Sequence, residues 1–177
     1  MKKFIVLLLI LVMVPSVLSF TLRDYPDFFV NGNTLNVKIV VGDTAIASDT
    51  IGAIEIATSL QYNPTTNQSF HGLRAVLASE VEDFTSENLI SVGGPCANGV
   101  TAEIMGFPPS CSDAIPPNTG MIKLYEFENR FSVVVAGYSA MDTRRASRVI
   151  ANYYDYALPL SDFMEVFFAQ QKEILVN

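Results

Sequence analysis

Residues 89–98 read Leu89-Ile90-Ser91-Val92-Gly93-Gly94-Pro95-Cys96-Ala97-Asn98. The first four residues suit a buried strand, and the Gly-Gly-Pro after them is typical of a turn. From Asn98 to Met105 the chain has the composition of a short helix that a polar residue opens. A strand, a small-residue turn and a capped helix, in this order, form the repeating unit of a sheet covered by helices.

The same unit occurs earlier in the chain. Residues 37–41 are apolar apart from one lysine and predict a strand, and Gly42-Asp43 predicts the turn after it. A helix is predicted over residues 48–61, with Ser48 or Asp49 as its cap. We expect a broad apolar face on this helix, formed by Ile51, Ala53, Ile54, Ile56, Ala57 and Leu60.

A third copy comes later, with a strand at 131–136, a turn at Gly137, and a helix at 142–156 capped by Asp142. Residues 121–127 should pair with its strand as a β-hairpin. Further strands are predicted at 73–78 and 164–168, with a surface loop over 63–70. The predicted fold class is therefore α/β: three layers, a mainly parallel sheet with helices on its faces and a β-hairpin, Rossmann-like.

The chain begins with the pattern of a signal peptide. Lys2 and Lys3 precede eleven apolar residues, and Val17 and Ser19 lie at the positions that signal peptidase recognises. Because a membrane-spanning helix needs about 20 apolar residues, we expect cleavage after Ser19; the alternative is an uncleaved anchor. Residues 1–19 would be the signal peptide and residues 20–177 a single secreted domain with no inserted membrane segment.

Charge disfavours several classes of partner. The net charge is −7, and loss of the leader with its two lysines would make it −9. An acidic chain without a basic run is a poor partner for nucleic acid or for anionic membranes. We expect no cofactor and no metal, because one histidine and two cysteines fall short of the four ligands of a structural zinc site.

Two further features are typical of exported proteins. Cys96 and Cys111 are the only cysteines, and an even number of cysteines in an exported chain predicts a disulfide. The alternative is a pair of buried free thiols. Asn67-Gln68-Ser69 is the only N-x-[ST] sequon without a proline in its middle position, so Asn67 is a candidate glycosylation site.

The glycine turns are candidate binding sites, because α/β sheets bind ligands at the carboxyl ends of their strands. Gly42, Asp43, Gly93, Gly94 and Gly137 could hold a small anion beside the helix N-termini. The chain has neither a GxGxxG nor a GxxxxGK[ST] pattern, so we favour a purely structural role in the turns. In that role, Gly94→Ala should lower the free energy of unfolding by about 1 kcal/mol or more.

Arg144 and Arg145, together with Arg148, cluster near the start of the third helix, where the helix dipole disfavours positive charge. Their partners could be nearby acids, a phosphate or a glycan, and we favour acids on the same face.

The sequence predicts no catalytic residues. The serine–aspartate pairs at 48–49 and 139–142 lack a GxSxG elbow. His71 lies in a polar stretch, and the acidic pairs Glu82/Asp83 and Glu126/Glu128 suit a solvated surface. We therefore expect that the protein is not an enzyme.

Three segments of the chain resemble archaeal S-layer proteins of the methanococcal type. Residues 40–57 resemble the opening segment of that family, residues 89–101 its "VGGP…AN…T" segment, and residues 133–146 its closing "VVAG…DT…A" segment. The segments occur in the family's order. The resemblance implies an extracellular protein that forms or joins a protein envelope and carries no catalytic residues.

Two functional hypotheses remain. The first is a non-catalytic structural or interaction protein of the archaeal cell surface, S-layer or S-layer-associated, whose partners are other cell-surface proteins or further copies of itself. The alternative is a secreted α/β module that binds a small anion or a sugar at the glycine turns. A filled strand-end surface would favour the first, and a deep pocket with converging polar side chains the second.

Overall fold

Four adjacent parallel strands form one half of a mixed sheet in the computed structural model, which describes residues 19–111, 113–168 and 174–176. The strands are β1 (Val30–Asn31), β2 (Thr34–Leu35), β3 (Lys38–Val41), β4 (Tyr62–Asn63), β5 (Gln68–Ser69), β6 (Arg74–Leu77), β7 (Leu89–Val92), β8 (Thr119–Phe127), β9 (Arg130–Gly137), β10 (Phe163–Phe168) and β11 (Ile174–Val176). The helices are α1 (Ala47–Leu60), α2 (Gly99–Ile104) and α3 (Ala140–Ala151).

The main sheet has the order β11-β10-β8-β9-β7-β3-β6. Strands β6, β3, β7 and β9 run parallel to one another, and β8, β10 and β11 are each antiparallel to their neighbours. Strands β8 and β9 form the predicted hairpin. Two small hairpins, β1-β2 and β4-β5, lie outside this sheet.

Helices cover both faces of the sheet, and this confirms the predicted three-layer α/β class. Alternate residues of β3 point to opposite faces: Ile39 packs in the core beneath α1 and α3, and Val40 packs in the core beneath α2. The buried strand β7 is apolar apart from Ser91, as expected of a strand covered on both faces.

The predicted caps of α1 and α3 are wrong. Helix α1 begins after Ile46, whose side chain makes no capping bond, so Ser48 and Asp49 lie inside the first turn. Helix α3 begins after Ser139, and Asp142 is its third residue. The Asp142 amide donates to Ser139 Oγ at 3.3 Å, and the Ser139 amide donates back to Asp142 Oδ2 at 3.2 Å. This reciprocal capping box satisfies two amides at once, which explains why the helix starts at the serine.

Two other elements differ from the local predictions. The expected loop over residues 63–70 contains the short hairpin β4-β5. Helix α3 ends at Ala151, five residues before the predicted end at 156. The signal peptide predicted over residues 1–19 stays a prediction, because residues 1–18 lie outside the described residues. None of the helices in the part of the chain that the structure describes combines the length and hydropathy of a membrane span.

Candidate functional site

The carboxyl ends of β3, β7 and β9 meet at one edge of the sheet, and a predicted glycine turn follows each of them. After β3 the chain enters α1 on one face, and after β7 it enters α2 on the opposite face. The gap between two such strand ends is the crevice where open α/β sheets bind ligands. A ligand site in this fold is therefore expected in this gap.

Asn98 fills this crevice. Its Nδ2 donates to the carbonyl oxygens of Val40 at 3.1 Å and Val92 at 3.0 Å. These two residues lie at the carboxyl ends of β3 and β7. Its Oδ1 accepts from the amide of Val100 at 3.1 Å, which caps α2. The side chain is 1% exposed. One buried amide therefore ties β3, β7 and α2 together in the space that a ligand would need.

Three of the four glycines are required by the backbone. A Cβ on Gly42 would overlap the carbonyl oxygen of Ala97, and a Cβ on Gly137 would overlap the backbone nitrogen of Thr143. Gly93 has a φ of +116°, a region that other residues rarely adopt. A Cβ on Gly94 would instead meet only the Gly137 carbonyl oxygen, at 3.5 Å, which is ordinary contact. This geometry does not support the destabilisation expected of Gly94→Ala.

Asp43 is also engaged. Its Oδ2 accepts from the Ser79 amide at 3.1 Å, and its Oδ1 bonds the Ser79 hydroxyl. These bonds hold the β3 turn against the short 3₁₀ turn that follows β6. The carboxylate thus joins two loops at the edge of the sheet, and its negative charge makes this turn unsuitable for an anion.

An open space remains between the β7 turn and the starts of α1 and α3. This strand-end pocket has a volume of about 170 Å³, and its walls include Asp49, Gly94, Cys96, Tyr138 and Thr143. Asp49 is 1% exposed, and its Oδ1 has no hydrogen-bond partner. Burial raises the pKa of Asp49, and a hydrogen bond from Thr143 opposes the rise. An unpartnered carboxyl oxygen favours a hydrogen-bond donor over an anion in this pocket.

The predicted disulfide is confirmed, and it forms part of the pocket wall. Cys96 and Cys111 are bonded to each other, with their Cα atoms 5.3 Å apart. Both cysteines line the pocket and are exposed to solvent. The bond holds the segment around Cys111 against the β7 turn. It therefore stabilises the pocket rim as well as the loop.

The arginines of α3 are paired with acidic residues of α1 and of α3 itself. Arg144 donates to Glu55 of α1 at 3.3 Å, and Arg148 lies 3.6 Å from the same carboxylate. Arg145 bonds Asp142, the capping-box residue, at 2.5 Å. The three arginines could have been paired with acids, a phosphate or a glycan, and the structure pairs them with acids.

The remaining candidates lie apart from the strand-end pocket. Asn67 is exposed in the turn of the β4-β5 hairpin, where its Oδ1 accepts from Tyr62 at 2.7 Å. His71 is exposed, with Nε2 3.2 Å from the Thr34 hydroxyl. The acidic pairs Glu82/Asp83 and Glu126/Glu128 are exposed. Across the described ranges, no three histidine, cysteine, aspartate or glutamate side chains are grouped to hold a metal ion.

Sequence reasoning identified the edge of the sheet but missed its two decisive side chains. Asn98 was expected only as a helix cap, and Asp49 only as an alternative cap for α1. No protein-family model matches the chain, and no curated protein matches it either.

Proposed function

We propose that the protein is a non-catalytic structural or interaction protein of the archaeal cell surface, either part of an S-layer or associated with one. The observation that carries this proposal is the outer face of α1. The resemblance of residues 40–57, 89–101 and 133–146 to methanococcal-type S-layer proteins supports the same conclusion. Its partners would be other cell-surface proteins or further copies of itself.

Helix α1 is apolar on both sides. Its inner side buries Ala53, Ile56 and Leu60 in the core. Its outer side leaves Ile51 and Ile54 exposed at 38% and 57%, and Ile46, just before the helix, at 59%. Large apolar side chains that are exposed together on one side of a helix favour an interaction surface over a solvated one. We call Ile46, Ile51 and Ile54 the α1 surface.

The surroundings of the α1 surface suit a protein partner. Ile54 lies at the edge of a groove of about 480 Å³ between α1 and the end of α3. Tyr154, 45% exposed, and Arg148 lie in the same groove. Aromatic and arginine side chains are enriched in protein interfaces, and burying an exposed isoleucine contributes up to about 1.5–3 kcal/mol. The groove therefore extends the α1 surface with residues that interfaces favour.

Two features of the strand-end edge also support the proposal. The crevice of the sheet is occupied by Asn98 rather than left open for a substrate. The disulfide between Cys96 and Cys111 is of the kind that persists outside the cytoplasm. Both features suit a stable extracellular building block.

The proposal is tested by replacing the α1 surface in the producing cell. The double variant Ile51→Ser/Ile54→Ser should move the protein from the envelope fraction to the medium and reduce the size of the native particle. Leu160→Ser is the matched control, because Leu160 is 73% exposed and lies outside the α1–α3 groove. Equal envelope association of wild type and double variant, both folded, would contradict the proposal.

A second candidate function is supported by the strand-end pocket. The free Oδ1 of Asp49 could accept a hydrogen bond from a sugar hydroxyl, as the alternative of a secreted sugar-binding module requires. A screen of neutral monosaccharides by thermal unfolding tests it. Stabilisation of the wild type that Asp49→Asn abolishes would favour the module. No stabilisation by any sugar would reject it.

A further inference from the structure

A second pocket lies at the opposite end of the sheet, where β6, β3 and β9 begin. It has a volume of about 220 Å³ and is lined by Lys38, Arg74 and Arg130, with Glu87 as its only acidic residue. The whole chain has eleven lysines and arginines and a net charge of −7. Three of the few basic side chains therefore converge on one cavity of an acidic protein.

The sheet register places two of these cations side by side. Lys38 of β3 is directly paired with Arg74 of β6 in the parallel ladder. Neighbouring strands are about 4.8 Å apart, so the two side chains leave the same face of the sheet as neighbours. Like charges in this arrangement repel each other. The fold therefore maintains a concentration of positive charge that a counter-charge would stabilise.

Only part of that charge is neutralised within the protein. Lys38 forms an ion pair with Glu87. Arg74 is exposed, and its side chain makes no ion pair or hydrogen bond within the described ranges. With one carboxylate against three cations, the pocket has a net positive charge. The Arg74 guanidinium is consequently free to meet a ligand.

The walls of the pocket are held by the protein itself. Arg130 donates from Nε to the Ser86 carbonyl oxygen at 3.0 Å, which fixes the position of its guanidinium. Asn88 is 7% exposed, donates to the Asn36 carbonyl oxygen at 2.9 Å and accepts from the Phe131 amide at 2.9 Å. These bonds join the starts of β3, β7 and β9. The cavity therefore exists before any ligand arrives.

We propose that this amino-end pocket binds a small oxyanion, a phosphate, sulfate or carboxylate group, either free or carried by an acidic sugar. Arginine suits these groups because its planar fork matches two oxygens at once. Arg74 would supply the free fork, and Lys38 and Arg130 the surrounding positive charge. The inference does not depend on the α1 surface, which lies on other elements of the fold.

Calorimetric titration of the folded protein with sodium sulfate and with sodium glucuronate tests the inference, with sodium chloride keeping the ionic strength constant. At least one of the two anions should bind the wild type, and Arg74→Gln should weaken that binding at least tenfold. Arg74→Lys keeps the charge but loses the fork, and should give an intermediate affinity. Arg148→Gln is the control, because it removes the same charge from a different face and should leave the affinity unchanged.

The outcomes separate support from refutation. Tighter binding of glucuronate than of sulfate would identify an acidic sugar as the natural source, and the reverse order a free oxyanion. Absence of binding by both anions would overturn the inference. Equal weakening by Arg74→Gln and Arg148→Gln would also overturn it, because only general charge attraction would then remain. Circular dichroism of each variant confirms that the fold is retained.

Discussion

The side-chain amide of Asn98 donates a hydrogen bond to the carbonyl oxygen of Val40, 3.1 Å away and 58 residues earlier in the chain. The same nitrogen also donates to the Val92 carbonyl oxygen, so one side chain bonds buried carbonyls at the ends of two neighbouring strands. The crevice that open α/β sheets offer to ligands is therefore used here to lock strands and helix together.

We expect Asn98→Ala to lower the free energy of unfolding by about 3 kcal/mol. The change removes the side-chain donor to two buried carbonyls, a loss of about 1–3 kcal/mol, and removes the α2 cap, worth about 1 kcal/mol. Chemical denaturation measures the difference, with Asn129→Ala in the exposed β8–β9 turn as control. A loss below about 1 kcal/mol would show that the crevice is not held by Asn98.

The glycine turns provide a matched pair of variants. Gly42→Ala should cost at least about 1–3 kcal/mol, because its Cβ would overlap the rigid Ala97 carbonyl. Gly94→Ala should change stability by less than about 0.5 kcal/mol, since its Cβ meets the nearest atom at 3.5 Å. Denaturation midpoints of the two variants, measured under the same conditions, compare their stabilities. Similar losses in both variants would mean that the two turns are equally crowded.

Asp49 should make stability depend on pH. Burial raises its pKa in the folded protein above the usual value of 3.8. Between these two pKa values, the folded state holds a proton that the unfolded state releases. The contribution of Asp49 to stability is then fully present below pH 3.8 and falls as the pH rises through its raised pKa.

Asp49→Asn should consequently be more stable than the wild type at pH 7, and the advantage should shrink in acid. Unfolding free energies measured from pH 3 to 8 give the comparison, and Glu82→Gln, which changes an exposed carboxylate, is the control. A pH-independent difference between Asp49→Asn and the wild type would contradict the buried, ionising carboxyl.

The mature protein should begin at Phe20. In the structure the Phe20 ring lies 4.7 Å from that of Phe131, so the chain joins the body of the fold directly after the predicted cleavage point. The intact mass of the exported protein measures where the chain starts. A mass that still includes residues 1–19 would indicate an uncleaved membrane anchor instead.

Much of the secondary structure could be predicted because it depends on local pattern. The strand at 89–92, the hairpin of 121–127 with 131–136 and the helix after Asn98 all follow from runs of apolar residues between turn residues. The caps were harder. Asp142 has the right chemistry for a cap, but Ser139 takes the position because the two residues can satisfy each other's amides.

Ile51 and Ile54 show where the pattern stops being informative. Both belong to the broad apolar face expected of α1, and the structure leaves them exposed. Since isoleucines occur on both sides of the helix, the sequence does not distinguish the inner side from the outer one. Only packing against the sheet and α3 decides which isoleucines remain outside.

By itself, the sequence determined the order of the six longer strands β3 and β6 to β10 and of the three helices, because these depend on local composition. It also determined the pairing of Cys96 with Cys111, since the chain has only two cysteines. The tertiary structure alone decided that Asn98 closes the crevice and that Lys38, Arg74 and Arg130 share a pocket. Those residues are far apart along the chain, and the parallel strand register brings them together. Register is set by the packing of whole strands, which no single segment of the sequence contains.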